Sequence, residues 1–421
     1  MANAFLFLQG PQGPFFQKLY KQLSEHGHRV FMINFNGGDF FFSLGCRSVN
    51  YNGSETEWAL FIEKYLIDNN ITHLLVYNDC RPLHRIAIQV ANKLDCKVYI
   101  FEEGYLRPSW ITLEEGGVNG FSRIPNNTQW YLRNKVKYIN STKNATFGST
   151  LLPLIIYCIL YHTFQVVFAM RFYKYRTHRP NSLLQDILGW LRRLRSMPYE
   201  RSHARKVQIK LLNENSKYYL FALQLSSDSQ IWQHSPYRNN IELMDEVLAS
   251  FALNAPPDTL LIVKQHPLDN GGANYRRYIN AKIHELGLMG RVYYVSGGHL
   301  PTLIKKSLGV IVVNSTVGMS SLYHKAPTIA LGKSIYNIEG LTYQGGLDQF
   351  WTQGLPPDYE LYKIFRNYLL KHNQLNGNFY AKQGIDHLLP LVVRKLTISN
   401  KTRNYKLKSI HRKHAEVSLH A

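Results

Sequence analysis

The run Leu260-Leu261-Ile262-Val263-Lys264-Gln265-His266-Pro267 constrains this chain more than any other stretch. Four aliphatic residues without a polar break suit a strand buried on both faces of a parallel sheet. Pro267 has no N–H to offer a ladder and ends the strand, which leaves Gln265 and His266 at its carboxyl end. In open α/β sheets ligands bind at that end. A terminal His can equally pack or cap something local. What points to a site is that two further segments, within 220–231 and 309–318, also finish in small or polar residues.

The first half of the chain alternates in the same manner. Phe5-Leu6-Phe7-Leu8 predicts a buried strand, and Gln9-Gly10-Pro11-Gln12-Gly13-Pro14 a loop. Residues 15–26 follow with helical spacing at Phe16, Leu19 and Leu23, then a strand over 30–34. This β–glycine loop–α–β opening is Rossmann-like, although GxxG is not the GxGxxG fingerprint. Either the glycines let backbone approach a ligand, which makes Gln12 and Gly13 binding candidates, or they make only a tight turn. Asn36-Gly37-Gly38-Asp39 reads as a second ligand-facing loop. A helix over 55–67, a strand over 73–77, a helix over 82–93 and a strand over 97–101 continue the alternation and argue for a parallel sheet. The last of these strands runs into Glu102-Glu103-Gly104-Tyr105-Leu106-Arg107-Pro108. Paired carboxylates with an arginine at a strand's carboxyl end can place an acid where chemistry happens; a solvated turn is the rival reading.

Residues 151–170 form a nearly uncharged run of helical length, with Arg171, Lys174, Arg176 and Arg179 directly after it. The length is close to the ~20 residues a bilayer span needs. The preferred reading is an apolar helix that is buried or dips into a lipid surface, its basic neighbours meeting acidic headgroups. A second basic block, Arg192-Arg193-Leu194-Arg195 to Lys206, adds to that reading. The net charge of +21 over 421 residues calls for an acidic partner, which nucleic acid, an anionic membrane or an anionic substrate would satisfy. The four cysteines, Cys46, Cys80, Cys96 and Cys158, show no CxxC pair or metal-ligand spacing, which suits reduced thiols in a cytoplasm. Residues 4–8 are too short and too uncharged at their front to act as a signal peptide.

The second half opens with a strand over 217–225 that leads into Ser226-Ser227-Asp228-Ser229-Gln230. A helix over 239–251 precedes the Leu260 strand; a helix over 275–286, a strand over 292–295, a helix over 300–307 and a strand over 310–313 follow it. Asn314-Ser315-Thr316-Val317-Gly318 then opens a helix with hydroxyls, glycine and free N–H groups, the chemistry of a phosphate site. Capping without a ligand is the plain alternative. Residues 326–331 make a last strand, and the tail beyond Leu396 is basic and polar.

In order and spacing these motifs resemble the capsule polysaccharide β-Kdo transferases of Gram-negative bacteria, of the KpsS (LipB) type. The resemblance rests on Gln9–Phe16, on Glu102–Pro108, on Leu223-Gln224 with Asp228–Ile231, on Gln265-His266-Pro267 and on Asn314–Gly318, and spans roughly residues 1–355. It implies a GT-B-like α/β fold of two Rossmann-like domains facing a central cleft. Residues 1–125 would form the acceptor-side domain, 126–210 a membrane-associating helical insert, and 211–355 the CMP-sugar domain. C-terminal helices would occupy 356–395, and a basic tail 396–421. The implied reaction moves Kdo, with retention, from CMP-Kdo to a (lyso)phosphatidylglycerol at the cytoplasmic face of the inner membrane. The enzyme would be peripheral there, with other capsule biosynthesis or export proteins as partners.

By that resemblance Asp228, Glu103 and His266 carry the catalysis, with the choice between Glu102 and Glu103 left open. Gln12, Gly13, Glu102, Arg107, Gln224, Ser229, Gln230, Lys264, Gln265, Pro267, Asn314, Ser315, Thr316 and Gly318 contact substrate. Retention needs a nucleophile on one face and a second displacement from the same face, which an aspartate can provide. No DxD-type pair stands at a strand end, so neither a metal nor another cofactor is expected. Rivals are a CDP-polyol phosphotransferase of teichoic-acid type and a non-catalytic assembly or export partner. Nucleic-acid binding lacks any zinc-finger, RRM-type or basic-zipper signature.

Overall fold

The computed structural model describes residues 2–134, 145–177, 183–225, 229–270 and 274–397. Its strands fall into two sheets. The first holds β1 (Ala4–Phe7), β2 (Arg29–Asn34), β3 (Ser48–Asn50), β4 (His73–Tyr77), β5 (Lys97–Glu103) and β6 (Trp110–Glu115). The second holds β7 (Tyr218–Ala222), β8 (Leu260–Lys264), β9 (Val292–Val295), β10 (Gly309–Val312) and β11 (Thr328–Ala330). A last strand, β12 (Gln374–Asn376), returns to the first sheet, so its order is β12-β6-β5-β4-β1-β2-β3, against β11-β10-β7-β8-β9 for the second.

The two orders have the same topology. The first five strands of each sheet lie in the order 5-4-1-2-3 and pair in parallel, the doubly wound Rossmann arrangement. The chain therefore reverses direction twice, once between β1 and β4 and once between β7 and β10. At such reversals the loops of neighbouring strands diverge and leave a crevice. The aliphatic run behaves as its composition demands: Leu261, Ile262 and Val263 are fully buried, flanked by β7 and β9 with Ile262 opposite Leu220 and Tyr293.

The first sheet departs from a pure parallel pattern at one edge. β6 and β12 pair antiparallel there, and neither is visible in the sequence pattern. The helix 382–397 then lays Ile385, Leu388, Leu389, Val392 and Leu396 against Phe7, Phe16 and Phe101, so a helix late in the chain closes the core of the first domain. Cross-domain contacts lie at the carboxyl ends of the sheets. Arg85, in the helix after β4, donates to Gln233 Oε1 at 2.8 Å, and Cys80 meets His234. The two sets of strand ends face each other, as two Rossmann-like domains around a central cleft require.

The region after β6 supplies two long helices that pack on different domains. The helix Leu151–Val167 covers the loops after β1 and β2, while Leu183–Asn213 lies along β9. Among the described residues no helix is long and apolar enough to cross a membrane.

Candidate functional site

At the second topological reversal, the loop after β7 and the loop after β10 are tied by one side chain. Gln224 is buried; its Oε1 accepts the Asn314 N–H at 3.1 Å, and its backbone oxygen accepts from Asn240 Nδ2 at 3.0 Å. Gln224 thus acts as a brace that fixes where the Asn314 loop begins. Ser315 caps the helix Thr316–Tyr323, its Oγ accepting from Val317 N at 3.1 Å, so that hydroxyl does serve as an N-cap. Gly318 packs under Tyr336; a Cβ there would stand 2.3 Å from the ring. The Tyr336 hydroxyl in turn donates to the Ser315 carbonyl at 2.6 Å. The loop is held from both sides, with Thr316 at the first turn of the helix.

The end of β8 brings positive charge to the same edge. Lys264 is buried, and burial, with the Arg193 charge adding to it, pulls its amine down to about 8. Gln265 donates its backbone N–H to Val295 O at 2.9 Å and its amide to Asp269 at 3.3 Å, which fixes the turn at Pro267. His266 Nδ1 accepts the Leu268 N–H at 3.1 Å. That bond assigns the neutral tautomer: the ring proton sits on Nε2, which is left as a donor. Burial lowers the His266 pKa, with nearby Asp269 opposing and the Lys264 and Arg107 charges adding to the fall, so the ring is neutral at pH 7.

Arg107, in the loop after β5 of the first domain, lies within Coulombic reach of His266 at the end of β8. The same guanidinium donates to Glu103 Oε2 at 2.7 Å. Glu102 and Glu103 are successive residues of β5, so their side chains leave on opposite faces. Glu103 is the one joined to the cleft-facing arginine; Glu102 Oε1 instead accepts the Glu103 backbone N–H at 3.2 Å. Gln224, Lys264, His266 and the Asn314–Gly318 loop thus stand at the ends of neighbouring strands of the second sheet, and the Arg107–Glu103 pair lies within Coulombic reach of His266.

The glycine loop after β1 is not part of that set. Cys158 donates to Gln12 Oε1 at 2.9 Å, and the Tyr157 ring stands 3.0 Å from the position a Gly13 Cβ would take. Both contacts come from the helix Leu151–Val167, which covers the loop. The segment 36–39 is likewise not an open ligand loop. Asn36 caps the short helix Gly37–Phe42, and Tyr161 fills the space above it, donating to Asp39 Oδ1 at 2.8 Å. Burial raises the Asp39 carboxyl to about 6 even though the Tyr161 hydrogen bond favours its charge.

Asp228 lies outside the described residues. Ser229 and Gln230 open the helix Ser229–His234, whose last residue reaches the first domain. One site residue was misassigned from sequence: Arg193, grouped with a lipid-facing basic block, is buried, bound to Glu200 and donating to Ser296 O at 3.4 Å beside Lys264. Its position in Leu183–Asn213, between exposed Arg192 and Arg195 in the sequence, gave no signal because only tertiary contact separates them.

Relatives of known description cover most of the chain. The capsule polysaccharide export protein KpsS of Escherichia coli is 35% identical over 380 residues, 89% of this chain and 96% of that protein. The capsule polysaccharide modification protein LipB of Neisseria meningitidis is 34% identical over 392 residues, 90% of this chain and 92% of that one. Among solved structures, the β-Kdo 2,7 transferase of Thermosulfurimonas dismutans KpsC is 15% identical with a TM-score of 0.41, covering 92% of this chain and 99% of that chain. A family model described as capsule polysaccharide biosynthesis protein matches residues 72–380, a span that takes in both strand-end sites, and the chain belongs to that family.

Proposed function

We propose that this protein is a retaining glycosyltransferase that moves Kdo from CMP-Kdo to an anionic glycerophospholipid, a (lyso)phosphatidylglycerol. The observation that carries the reading is the convergence of buried Lys264, the Nε2–H of His266 and the braced Asn314–Gly318 loop on one cleft edge, with Arg107 opposite. A neutral donor, a buried amine and a helix start suit a nucleotide phosphate whose charge grows as it leaves. In this scheme the Asp228 carboxylate attacks the anomeric carbon as the bond to the CMP phosphate breaks. The acceptor hydroxyl then attacks the same carbon, releases Asp228, and gives its proton to Glu103. No step needs a metal.

The acceptor reading draws on the exposed face of Leu151–Val167. Leu152, Ile155, Ile156 and Ile159 stand open there, at 65, 45, 45 and 60% exposure, with Arg171 and Lys174 just beyond. Such a face suits a helix resting in a lipid surface, which makes the protein peripheral on the cytoplasmic side of the inner membrane. Mass spectrometry of a fluorescent lysophosphatidylglycerol incubated with protein and CMP-Kdo tests the whole reading. A mass increase of Kdo units supports it. Product with CDP-glycerol and none with CMP-Kdo would replace it by phosphotransfer.

The description of the E. coli relative as an export protein favours a second reading in which the chain binds nucleotide or lipid without turnover. An inactive wild-type protein that still binds CMP would support it.

A further inference from the structure

The sharpest cluster outside the donor site joins the two domains. Asp79 and Cys80 follow β4 at the first reversal, and His234 ends the helix Ser229–His234 of the second domain. All three are buried, at 3, 1 and 2% exposure. Cys80 Sγ stands 3.5 Å from His234 Nε2 and 3.5 Å from Asp79 Oδ1, and the three atoms lie within 4.8 Å of one another. We propose that Asp79, Cys80 and His234 bind a structural Zn²⁺ that clasps the two domains.

The dimensions fit. A zinc ion with Zn–S of about 2.3 Å and Zn–N or Zn–O of about 2.0–2.1 Å at tetrahedral angles separates sulfur from nitrogen or oxygen by ~3.5 Å. The sulfur–nitrogen and sulfur–oxygen edges both have that length. The donor set fits as well: a sulfur, an imidazole nitrogen and a carboxylate oxygen select a borderline ion and disfavour magnesium or calcium. Loading displaces the thiol proton to solvent, and one thiolate with one carboxylate then balances the dication, so a neutral unit is buried. Three protein ligands leave the fourth position to a water, a more open arrangement than the four-ligand structural sites.

The surrounding bonds aim the ligands beforehand. Asp79 Oδ2 accepts the Val118 N–H at 2.9 Å, and Asn78 accepts from Cys80 N at 2.8 Å. The first is a bond of the kind that orients ligating carboxylates in known metal sites; the second fixes the backbone that carries the thiol. On the other side, the Phe121 ring meets His234 edge-on at 4.5 Å, and Gly120 leaves room for the imidazole, since a Cβ there would stand 2.3 Å from Nδ1. The ligands lie 154 residues apart in the chain, which is why cysteine spacing alone does not show them. The clasp would fix the helix that begins just after Asp228, and it is independent of which donor the cleft takes.

The test uses the full-length protein grown with zinc and kept reduced. Elemental analysis should find about one zinc per chain, and Cys80→Ser and His234→Asn should each lose most of it. Cobalt loaded into the stripped wild type should show a sulfur-to-cobalt absorption band that Cys80→Ser abolishes. If the variants do not fold, chelation of the wild type should lower its melting temperature and zinc, but not magnesium, should restore it. Wild type that takes up no stoichiometric zinc overturns the proposal and leaves a thiol–imidazole hydrogen bond only, as does zinc retained unchanged in Cys80→Ser or a melting temperature indifferent to chelation.

Discussion

At the scale of single residues, burial tunes the cleft. Lys264 has its folded pKa pulled to about 8, below the usual lysine range. The sign follows from linkage: between about 8 and the unfolded value near 10.4 the unfolded chain holds a proton the folded one has released, so stability rises with pH there and the burial cost is complete below 8. An anionic donor beside the amine favours its charged form, so donor binding should take up a proton near pH 8–9 and weaken as pH rises through that window. Calorimetry of CMP binding in two buffers of different ionisation enthalpy measures the uptake, and Lys264→Met should remove it. His266→Ala removes one preorganised donor, and we expect a loss on the order of 10²-fold in kcat with little change in melting temperature. Unchanged turnover with a lower melting temperature would make His266 a packing residue. Of the carboxylates, Asp228→Asn should give a folded protein that binds CMP and makes no product. Glu103→Gln should lose far more turnover than Glu102→Gln, because Glu103 is joined to Arg107 and Glu102 leaves β5 on the opposite face. Equal losses would show that strand alternation does not decide the role.

At the scale of elements, the pieces that read clearly from sequence are those whose pattern is set by burial alone. The β8 run, the β10 run and the loops that end them were legible because a strand buried on both faces has no polar alternative. β3 and β12 were not: each has three residues, Ser48–Asn50 and Gln374–Asn376, at a sheet edge where polar residues are tolerated and only pairing defines the strand. The loop 36–39 was misread for a different reason. Its glycines serve a close approach of helix to helix, not of backbone to ligand. A Gly37 Cβ would fall 2.1 Å from the Phe164 carbonyl oxygen and 2.7 Å from Phe168 Cβ. Gly37→Ala should therefore displace Leu151–Val167 and cost about 1–3 kcal/mol of stability. Denaturant unfolding reads that loss, and a shift within 0.5 kcal/mol, the ordinary surface range, would mean the helix is held elsewhere.

At the scale of the whole molecule, the excess of positive charge and the two long helices bear on where the protein works. The formal charge is +21, and the exposed apolar faces of Leu151–Val167 and Leu183–Asn213 carry basic residues beside them. Leu184, Ile187, Leu191 and Leu194 are exposed on the second helix together with Arg192 and Arg195, whereas Arg193 turns inward to Glu200. The three consecutive-looking arginines therefore divide into two kinds. Neutralising Arg192 and Arg195 should weaken binding to anionic vesicles by about 1 kcal/mol per charge without altering the unfolding curve. Neutralising Arg193 strands a nearly buried carboxylate and should destabilise the fold by a few kcal/mol, with vesicle affinity unchanged for the protein that remains folded. Polar substitution of Leu152 and Ile159 should weaken vesicle binding too, but in a salt-independent way, because apolar burial is not screened. Cosedimentation with phosphatidylglycerol vesicles across a salt series separates these contributions. Equal binding to neutral vesicles at every salt concentration would remove the charged part of the surface, and indifference to Leu152 and Ile159 would remove the apolar part.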